Sequence, residues 1–216
     1  MRALYEKDIS LILIRKSSLF IFLMIGVVFT WQFSGSFSGA YLTMLGTMLA
    51  LSTLSYDDSD NCMEFILTLP CTRKQYVLEK YFFVYGFSLV AGLIGLVIII
   101  LSNLIKGIPV DVTLVIETAC SELPILVITG GLMIPLQLKY GPEKTRLVFI
   151  AFVGLLFIVA YMVFKIPGAK MAFENAMNTL NTIDPIIIVL LLVGILCILS
   201  IVSAFISIKI MENKEY

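Results

Sequence analysis

The fold of this chain is decided by residues 56–75, YDDSDNCMEFILTLPCTRKQ, a polar stretch that separates two apolar runs. Either Asp60 or Asn61 can cap a short helix by accepting backbone N–H bonds. Pro70 then ends that helix, since the residue before a proline avoids helical backbone angles. The stretch therefore predicts a short helix outside the membrane, held between two long apolar helices.

A second capping signal follows at once. Thr72 and Gln75 have the spacing of a capping box, which predicts the start of the next long helix. Arg73 and Lys74 stand at that start, where anionic lipid headgroups attract basic side chains. Brief connectors would make the short helix a rigid lever that transmits force. A solvated loop with an incidental helical turn is the alternative.

The composition is typical of a membrane protein. Of the 216 residues, 60% are hydrophobic and 14% are charged, against roughly 25% charged in soluble domains. One span needs roughly 20 apolar residues, and we predict six spans in an all-α, polytopic fold. They cover approximately Ser17–Phe33, Ser38–Ser55, Tyr81–Leu104, Leu114–Leu138, Leu147–Phe164 and Pro185–Ile208. The connections are too short for a soluble domain, so residues 1–216 form one transmembrane domain.

Basic residues predict the orientation, because Lys and Arg collect in cytosolic segments. With the N-terminus inside, Lys106, Lys165 and Lys170 lie outside, and the other twelve of the fifteen Lys and Arg residues lie inside. We therefore expect both termini in the cytosol. The net charge of zero gives no reason to expect a nucleic-acid partner.

The two surface segments have helical patterns. Residues 1–16 have a broad apolar side that predicts a helix lying on the cytosolic leaflet, although Asp8 and Leu11 break the pattern. A helical extension of the first span is an equally open alternative. On the outer side, residues 165–182 place apolar residues at i, i+3, i+4 and i+7 from Phe173, which predicts an amphipathic helix.

The second predicted span is rich in small residues. Gly39, Thr43, Gly46, Thr47 and Ala50 recur at spacings of three and four. Small residues let helices approach closely in lipid, so this face is expected to pack against another helix. The alternative is that Thr43 and Thr47 line a passage.

Ionisable residues occur within one predicted span, the fourth, which carries Glu117 and Glu122. Such groups are costly in lipid and usually face protein or water. Pro124 removes a backbone donor and predicts a kink. The two carboxyls either line an acidic vestibule of a passage or lie in water in a re-entrant or extracellular segment.

The sequence contains no motif for ATP hydrolysis or covalent catalysis. It has no G-x-x-x-x-G-K-[ST] phosphate loop, no G-x-S-x-G and no His. We expect no bound metal, because the four Cys form no C-x-x-C pair, and no cofactor in this chain. Asp57, Asp58 and Asp60 form a small acidic cluster. A membrane-bound phosphotransferase that uses them is the enzyme alternative, although no second acidic cluster cooperates with them.

With these features, residues 54–81 resemble the type 2 permease subunits of ABC transporters, most closely the small six-span permeases of phenol-soluble modulin exporters. The shared pattern is acidic residues after a tyrosine, Leu-Pro at Pro70, Thr-Arg-Lys around Arg73, and Lys-Tyr at Lys80 opening the third span. Cys71 stands where an aliphatic or small residue is expected. In topology the resemblance covers the whole chain.

The resemblance implies a bacterial plasma-membrane exporter in which two permeases, identical or paralogous, bind two ATPase subunits that hold ATP and Mg²⁺. Residues 56–80 would form the cytosolic coupling loop that contacts the ATPase. The implied coupling residues are Asn61, Met63, Glu64, Phe65, Ile66, Leu67, Arg73 and Lys74, of which Met63, Ile66 and Leu67 lie on one side of the helix. A second cytosolic contact is implied at Tyr140, Glu143 and Lys144. The implied substrates are amphipathic peptides or antimicrobial and other hydrophobic compounds.

A transporter or channel driven by an ion gradient is the alternative function, and a structural scaffold is a third. A transporter driven by an ion gradient would require ionisable groups in several predicted spans. In this sequence only the fourth predicted span carries them.

Overall fold

The computed structural model of the protein describes residues 2–14, 16–32, 35–58, 62–63, 66, 71–109, 112–165, 168, 171, 175 and 185–214. Seven long helices and no strand occur among these residues, which confirms the all-α prediction. They are α1 (Arg2–Ile14), α2 (Lys16–Gln32), α3 (Gly35–Asp58), α4 (Arg73–Ile105), α5 (Val112–Tyr140), α6 (Pro142–Lys165) and α7 (Pro185–Asn213).

The start of α4 is set by the predicted capping box. The Gln75 backbone N–H donates to Thr72 Oγ1 at 3.2 Å, and the Thr72 N–H donates to Gln75 Oε1 at 3.0 Å. Each side chain thus satisfies a backbone donor that the first turn of a helix leaves unpaired. The segment between α3 and α4 therefore ends at a rigid boundary.

A single glycine makes the turn between α5 and α6. Gly141 has a φ of +79°, a backbone conformation that residues with a side chain rarely adopt. Its N–H donates to the Gln137 carbonyl at 3.0 Å and closes α5. Pro142 begins α6 at the position where a missing N–H costs nothing. Gly141 and Pro142 therefore form the turn between the two helices. Upstream of it, α5 continues as one helix through both Pro124 and Pro135.

Helix α3 is the centre of the bundle. It packs against α4 and α5, and α1 and α2 contact it from another side. Ala50, Leu51 and Leu54 on α3 are at most 3% exposed, in a core shared with Tyr76 and Val77 of α4. The more apolar α7 packs on α4 and α5 instead.

Small residues explain how α3 reaches the centre. A Cβ added at Gly46 would lie 2.4 Å from the Cβ of Ala91 on α4, which is closer than two carbon atoms can approach. A Cβ at Gly95 would lie 3.5 Å from the Cα of Gly39. The backbones of α3 and α4 therefore cross at close range. This agrees with the prediction that the small-residue face packs against another helix.

Hydroxyl groups set the register of α7. This helix is apolar on all sides, so hydrophobic burial alone does not choose one face. The Tyr81 hydroxyl on α4 is 2.6 Å from Ser203 Oγ and 2.8 Å from Ser207 Oγ. Ser203 also donates to the carbonyl oxygen of Gly131 on α5. These bonds specify which side of α7 faces the bundle.

Four described helices are long and apolar enough to cross a membrane, namely α4, α5, α6 and α7. A fifth span is counted if α1 and α2 are taken as one broken span. Helix α3, with its Gly, Ser and Thr residues, is not among them. Six spans therefore stay a prediction, although helices lie at all six predicted positions.

Helix α6 lies at the edge of the described bundle. Thr145 is its one buried residue, and its apolar side chains, among them Leu147, Phe157 and Tyr161, are well exposed. In lipid such a surface is stable without protein neighbours.

At the N-terminus, α1 is a separate helix. Its axis is bent by 71° from that of α2. The surface helix on the cytosolic leaflet stays a prediction. In the predicted outer amphipathic segment, Met171 and Asn175 are helical. Phe173 and most of residues 165–182 lie outside the described residues.

The close crossing of α3 and α4 can be tested with one methyl group. Gly46→Ala should destabilise the protein by about 1–3 kcal/mol, the usual cost of overpacking. Gly154→Ala on α6 is the matched control, since a Cβ there meets nothing within 4 Å. The melting temperature in detergent measures both. Equal melting temperatures for the two variants would refute the close crossing.

Candidate functional site

Four charged side chains from three helices form a buried group, here called the charge cluster: Lys7 and Asp8 of α1, Asp57 of α3 and Lys80 of α4. Lys80 Nζ lies 2.7 Å from Asp57 Oδ2 and also pairs with Asp8. Lys7 pairs with Asp57 and lies 3.2 Å from Asp8 Oδ1. The side chains of Lys80, Asp8 and Asp57 are at most 4% exposed. The cluster holds two positive and two negative charges.

Neutral groups complete the cluster. The Tyr76 hydroxyl donates to Asp57 Oδ2 at 2.9 Å, and the Lys80 ammonium lies 5.4 Å from the centre of the Tyr76 ring. Thr53 Oγ1 lies 3.4 Å from Asp8 Oδ2. Buried ions are tolerated when they are paired and hydrogen-bonded, and losing one partner leaves an uncompensated charge. The cluster therefore ties α1, α3 and α4 together at one level.

Asp57 is held in its ionised form. Burial raises the pKa of Asp57, but the Lys80 and Lys7 ammonium groups outweigh burial and hold it below its ordinary value. Asp57 therefore stays ionised down to a pH below the usual range for a carboxyl. A permanent charge at this position keeps the link to α1 and α4 in place.

The other side of the segment between α3 and α4 is tied to the end of α7. Arg73 Nη1 donates to the carbonyl oxygens of Met211, Glu212 and Lys214 at 3.1, 2.9 and 2.9 Å. The last carbonyl groups of a helix have no hydrogen-bond donor within the helix and carry partial negative charge. A guanidinium group supplies both the donors and a positive charge. Lys74 adds an ion pair to Glu212 at 3.4 Å. These contacts are within the chain itself, at residues predicted to face lipid or the ATPase.

A further pair links the ends of α3 and α7. Lys214 Nζ lies 3.7 Å from Asp58 Oδ1. The turn at Gly141 lies beside the same carboxylate, since a Cβ added there would be 3.1 Å from Asp58 Oδ2. The first helix, the last helix and two inter-helix connections thus meet at one end of the bundle, called here the coupling end and marked by Lys7, Asp57, Arg73, Gly141 and Lys214.

The residues implied as coupling residues divide into two groups. Met63 and Ile66 are helical and only 4% exposed, within the hydrophobic core of the chain. Their side chains hold the segment to the bundle and leave little surface for a partner. Cys62 beside them is exposed. Asn61, Glu64, Phe65 and Leu67 lie outside the described residues.

The second implied contact lies at the surface of the coupling end. Tyr140, Glu143 and Lys144 are all exposed, around the turn at Gly141. The Lys139 ammonium lies 5.1 Å from the centre of the Tyr140 ring. This turn is available to a partner that binds the coupling end.

The candidate passage residues are not all brought together. Glu117 is exposed, and Thr47 is fully buried with its hydroxyl donating to the Thr43 carbonyl at 2.8 Å. Thr43 and Glu122, by contrast, line one cavity between α3, α4 and α5, together with Ser88. The structure thus joins one acidic residue of the fourth predicted span to the small-residue face of the second.

Metal ligation finds no geometric support. In the described part of the chain no three Cys, Asp or Glu side chains are grouped to hold an ion. Asp57 and Asp58 of the small acidic cluster are paired with lysines. Asp60 lies outside the described residues. The four cysteines are all free thiols.

Sequence reasoning missed the charge cluster. Its signals were Asp8, which breaks an apolar helix face, and Lys80, which stands one residue before an apolar run. Each is costly beside lipid unless it is paired. The pairs between helices join residues 23 to 72 positions apart, so no local pattern shows them.

The cluster can be compared with an exposed ion pair. Lys80→Met should cost about 3–5 kcal/mol, because it leaves two buried carboxylates with one cation. Lys74→Met removes a pair whose side chains are 64% and 45% exposed and should cost about 0–1 kcal/mol. Thermal unfolding in detergent measures both changes. Similar losses in the two variants would show that the cluster does not hold the helices together.

The whole chain can be compared with known proteins. Residues 3–212 match the family described as ABC-2 family transporter protein. No curated protein and no solved structure matches the chain. The match confirms the ABC transporter part of the resemblance, whereas the likeness to phenol-soluble modulin exporters stays a prediction. The chain belongs to the ABC-2 transporter family and is the multi-pass membrane permease component of such a transporter.

Proposed function

We propose that this permease is the transmembrane subunit of an ATP-driven exporter for amphipathic peptides or other hydrophobic compounds. A separate ABC ATPase subunit would bind ATP and Mg²⁺ and would dock at the coupling end, on residues 59–72 and on the turn at Gly141. Permeases of this family typically lack ATPase activity, and the chain has no phosphate-binding loop. The motor must then lie in a partner.

The observation that carries this proposal is the anchoring of residues 59–72 on both sides. On one side, Asp57 and Asp58 are tied to α1, α4 and the end of α7. On the other side, Arg73 is tied to the last carbonyls of α7. A segment that is fixed at both ends moves with the helices that it joins. A partner that displaces it would therefore move α3 and α4, the two central helices.

The core contacts add to this stiffness. Met63 and Ile66 are buried within the segment, and Cys71 Sγ donates to the Ile66 carbonyl at 3.4 Å. The described part of the segment is thus packed against the bundle. Its exposed side, to which Cys62 belongs, is left for the ATPase.

The same geometry supports an orientation with the coupling end in the cytosol. The first and last helices both lie at the coupling end, and twelve of the fifteen basic residues belong to segments assigned to that side. By the positive-inside rule this end faces the cytosol. In this orientation, which we propose for a bacterial plasma membrane, the ATPase-binding surface lies where ATP is available.

The cavities within the described part of one chain are small for a helical peptide. One turn of a helical peptide occupies about 500 Å³, from a diameter of 10–12 Å and a pitch of 5.4 Å. Cavities between the described helices have volumes of about 140 to 360 Å³. We therefore place the passage between two permeases, identical or paralogous, with apolar surfaces such as that of α6 available for pairing.

Binding of an ATPase is the first test. The tagged chain, co-expressed with an ABC ATPase subunit of the same organism, should retain that subunit through purification and show vanadate-sensitive hydrolysis. Arg73→Gln should lower the hydrolysis rate while the ATPase stays bound, because the segment loses its tie to α7. Transport driven by a proton or sodium gradient with no ATPase present would overturn the proposal.

The native cysteines allow the docking surface to be mapped. A variant that keeps only Cys62 should form a covalent adduct with the ATPase after labelling with a benzophenone maleimide and illumination. A variant that keeps only Cys197 is the matched control, because its thiol is also exposed but lies on α7 within a candidate span. Adducts are read by mass spectrometry. A co-purifying, active ATPase that gives no adduct from Cys62 would exclude this segment as the contact.

A further inference from the structure

The carboxyl group of Glu122 lies between two glycines of neighbouring helices. A Cβ added at Gly39 on α3 would be 2.5 Å from Glu122 Oε1, and a Cβ added at Gly92 on α4 would be 2.6 Å from Oε2. Both distances are too short for any side chain larger than hydrogen. The carboxyl therefore occupies space that the two glycines leave open.

A cavity of about 140 Å³ adjoins this carboxyl. Among the described residues, Thr43 and Ser88 are its other polar lining residues, and Glu122 is the one charged residue that lines it. The hydroxyl hydrogens of Thr43 and Ser88 are already used, since Thr43 donates to the Gly39 carbonyl at 3.0 Å and Ser88 donates to the Val84 carbonyl at 2.6 Å. The side-chain oxygens in the cavity thus offer lone pairs and few hydrogens.

Glu122 Oε1 needs a donor. It is buried and has no hydrogen-bond partner among the described residues. A carboxylate without a partner in an apolar environment is costly, so the group must carry a proton or meet a cation. The polar floor of the cavity therefore selects a ligand with N–H or O–H donors and a positive charge, and disfavours an anion.

The rim of the cavity shows where such a ligand enters. Leu89 and Leu93 of α4 line the cavity and are 48% and 63% exposed. On a candidate membrane span, exposed leucines face hydrocarbon. Glu122 follows the start of α5 by ten residues and precedes its end by eighteen, which is about 15 Å and 27 Å along the helix. The mouth thus opens to acyl chains, away from bulk water.

We propose that this cavity binds the primary ammonium group of a cationic amphiphile whose apolar part lies in the bilayer. In the absence of such a ligand, Glu122 carries a proton. When the ammonium group binds, that proton leaves to solvent and the carboxylate pairs with the N–H donors. The inference rests on the proposed function only in that the amphiphile would be the cargo; the binding site itself does not require an ATPase.

Reaction with dicyclohexylcarbodiimide tests the site in the purified chain, in nanodiscs of phosphatidylcholine. The reagent adds to a protonated carboxyl, whose proton and oxygen both join the carbodiimide, and rearranges to a stable N-acylurea with no leaving group. Peptide mass spectrometry should locate the adduct at Glu122. Glu122→Gln should abolish it, whereas Glu117→Gln, at an exposed carboxyl on the same helix, should leave it unchanged.

Protection identifies the ligand. Dodecylamine at ten times its Kd should slow the loss of unmodified Glu122 about tenfold, because labelling follows the unoccupied fraction. The N-acylurea and any dodecylamide, formed when the amine displaces dicyclohexylurea from the activated carboxyl, are both counted as labelled. Dodecanol, with the same chain and no charge, and dodecyltrimethylammonium, with the charge and no N–H donor, should protect far less. A nanodisc containing phosphatidylethanolamine, without added amine, shows whether a lipid ammonium group occupies the site in place of a free amphiphile.

Three results would overturn the proposal. Equal protection by dodecanol would make the cavity an apolar pocket only. Protection by NaCl, but not by choline chloride, would assign the site to an alkali cation. Failure of the folded wild-type chain to react at Glu122 would show that the carboxyl is not held as a neutral acid. Because this assay contains no ATPase, its failure leaves the proposed coupling to an ATPase untouched.

Discussion

The pairing of Lys80 with Asp8 and Asp57 is the contact on which the arrangement of the helices depends. An ammonium group at the start of a long apolar helix must find carboxylates, and it finds them on two other helices. Because a buried charge without its partner is strongly destabilising, α1, α3 and α4 have little freedom to separate at this end. Hydrophobic burial alone would not hold these three helices together, because apolar side chains are as stable in contact with lipid as in contact with protein.

The small residues of α3 and α4 supply the second constraint. Gly46 brings the two backbones together at Ala91, and Gly39 and Gly92 leave room for the carboxyl of Glu122. One sequence feature thus has two structural results. Close packing at Gly46 fixes the crossing, and the missing side chains at Gly39 and Gly92 make space for an acidic group at a depth where acids are rare.

These two constraints lie at different levels of the same pair of helices. The charge cluster and the ties of Arg73 belong to the coupling end, whereas the Glu122 cavity lies farther along α4 and α5. In the proposed mechanism, a displacement of residues 59–72 would reach the cavity through α3 and α4. Both helices line the cavity, so a change in their crossing would change its shape. The close contact at Gly46 makes such a change discrete, because packed surfaces do not deform continuously.

Local patterns in the sequence were sufficient for the elements that depend on near neighbours. The capping box at Thr72, the turn at Gly141 and the positions of the long helices follow from residues within a few positions of one another, and the family resemblance rested on residues 54–81. The partners of Lys80 and Arg73 did not follow, because they are 23 to 141 positions away. Met63 and Ile66 formed an apolar face by spacing, but whether that face met a partner or the chain's own core depended on how the helices assemble.

The sequence by itself determined the helices, their ends and their apolar character, because these depend on local backbone and hydration energies. Only the tertiary structure decided which charges are paired and which carboxyl lies in a cavity, because those depend on contacts between distant helices.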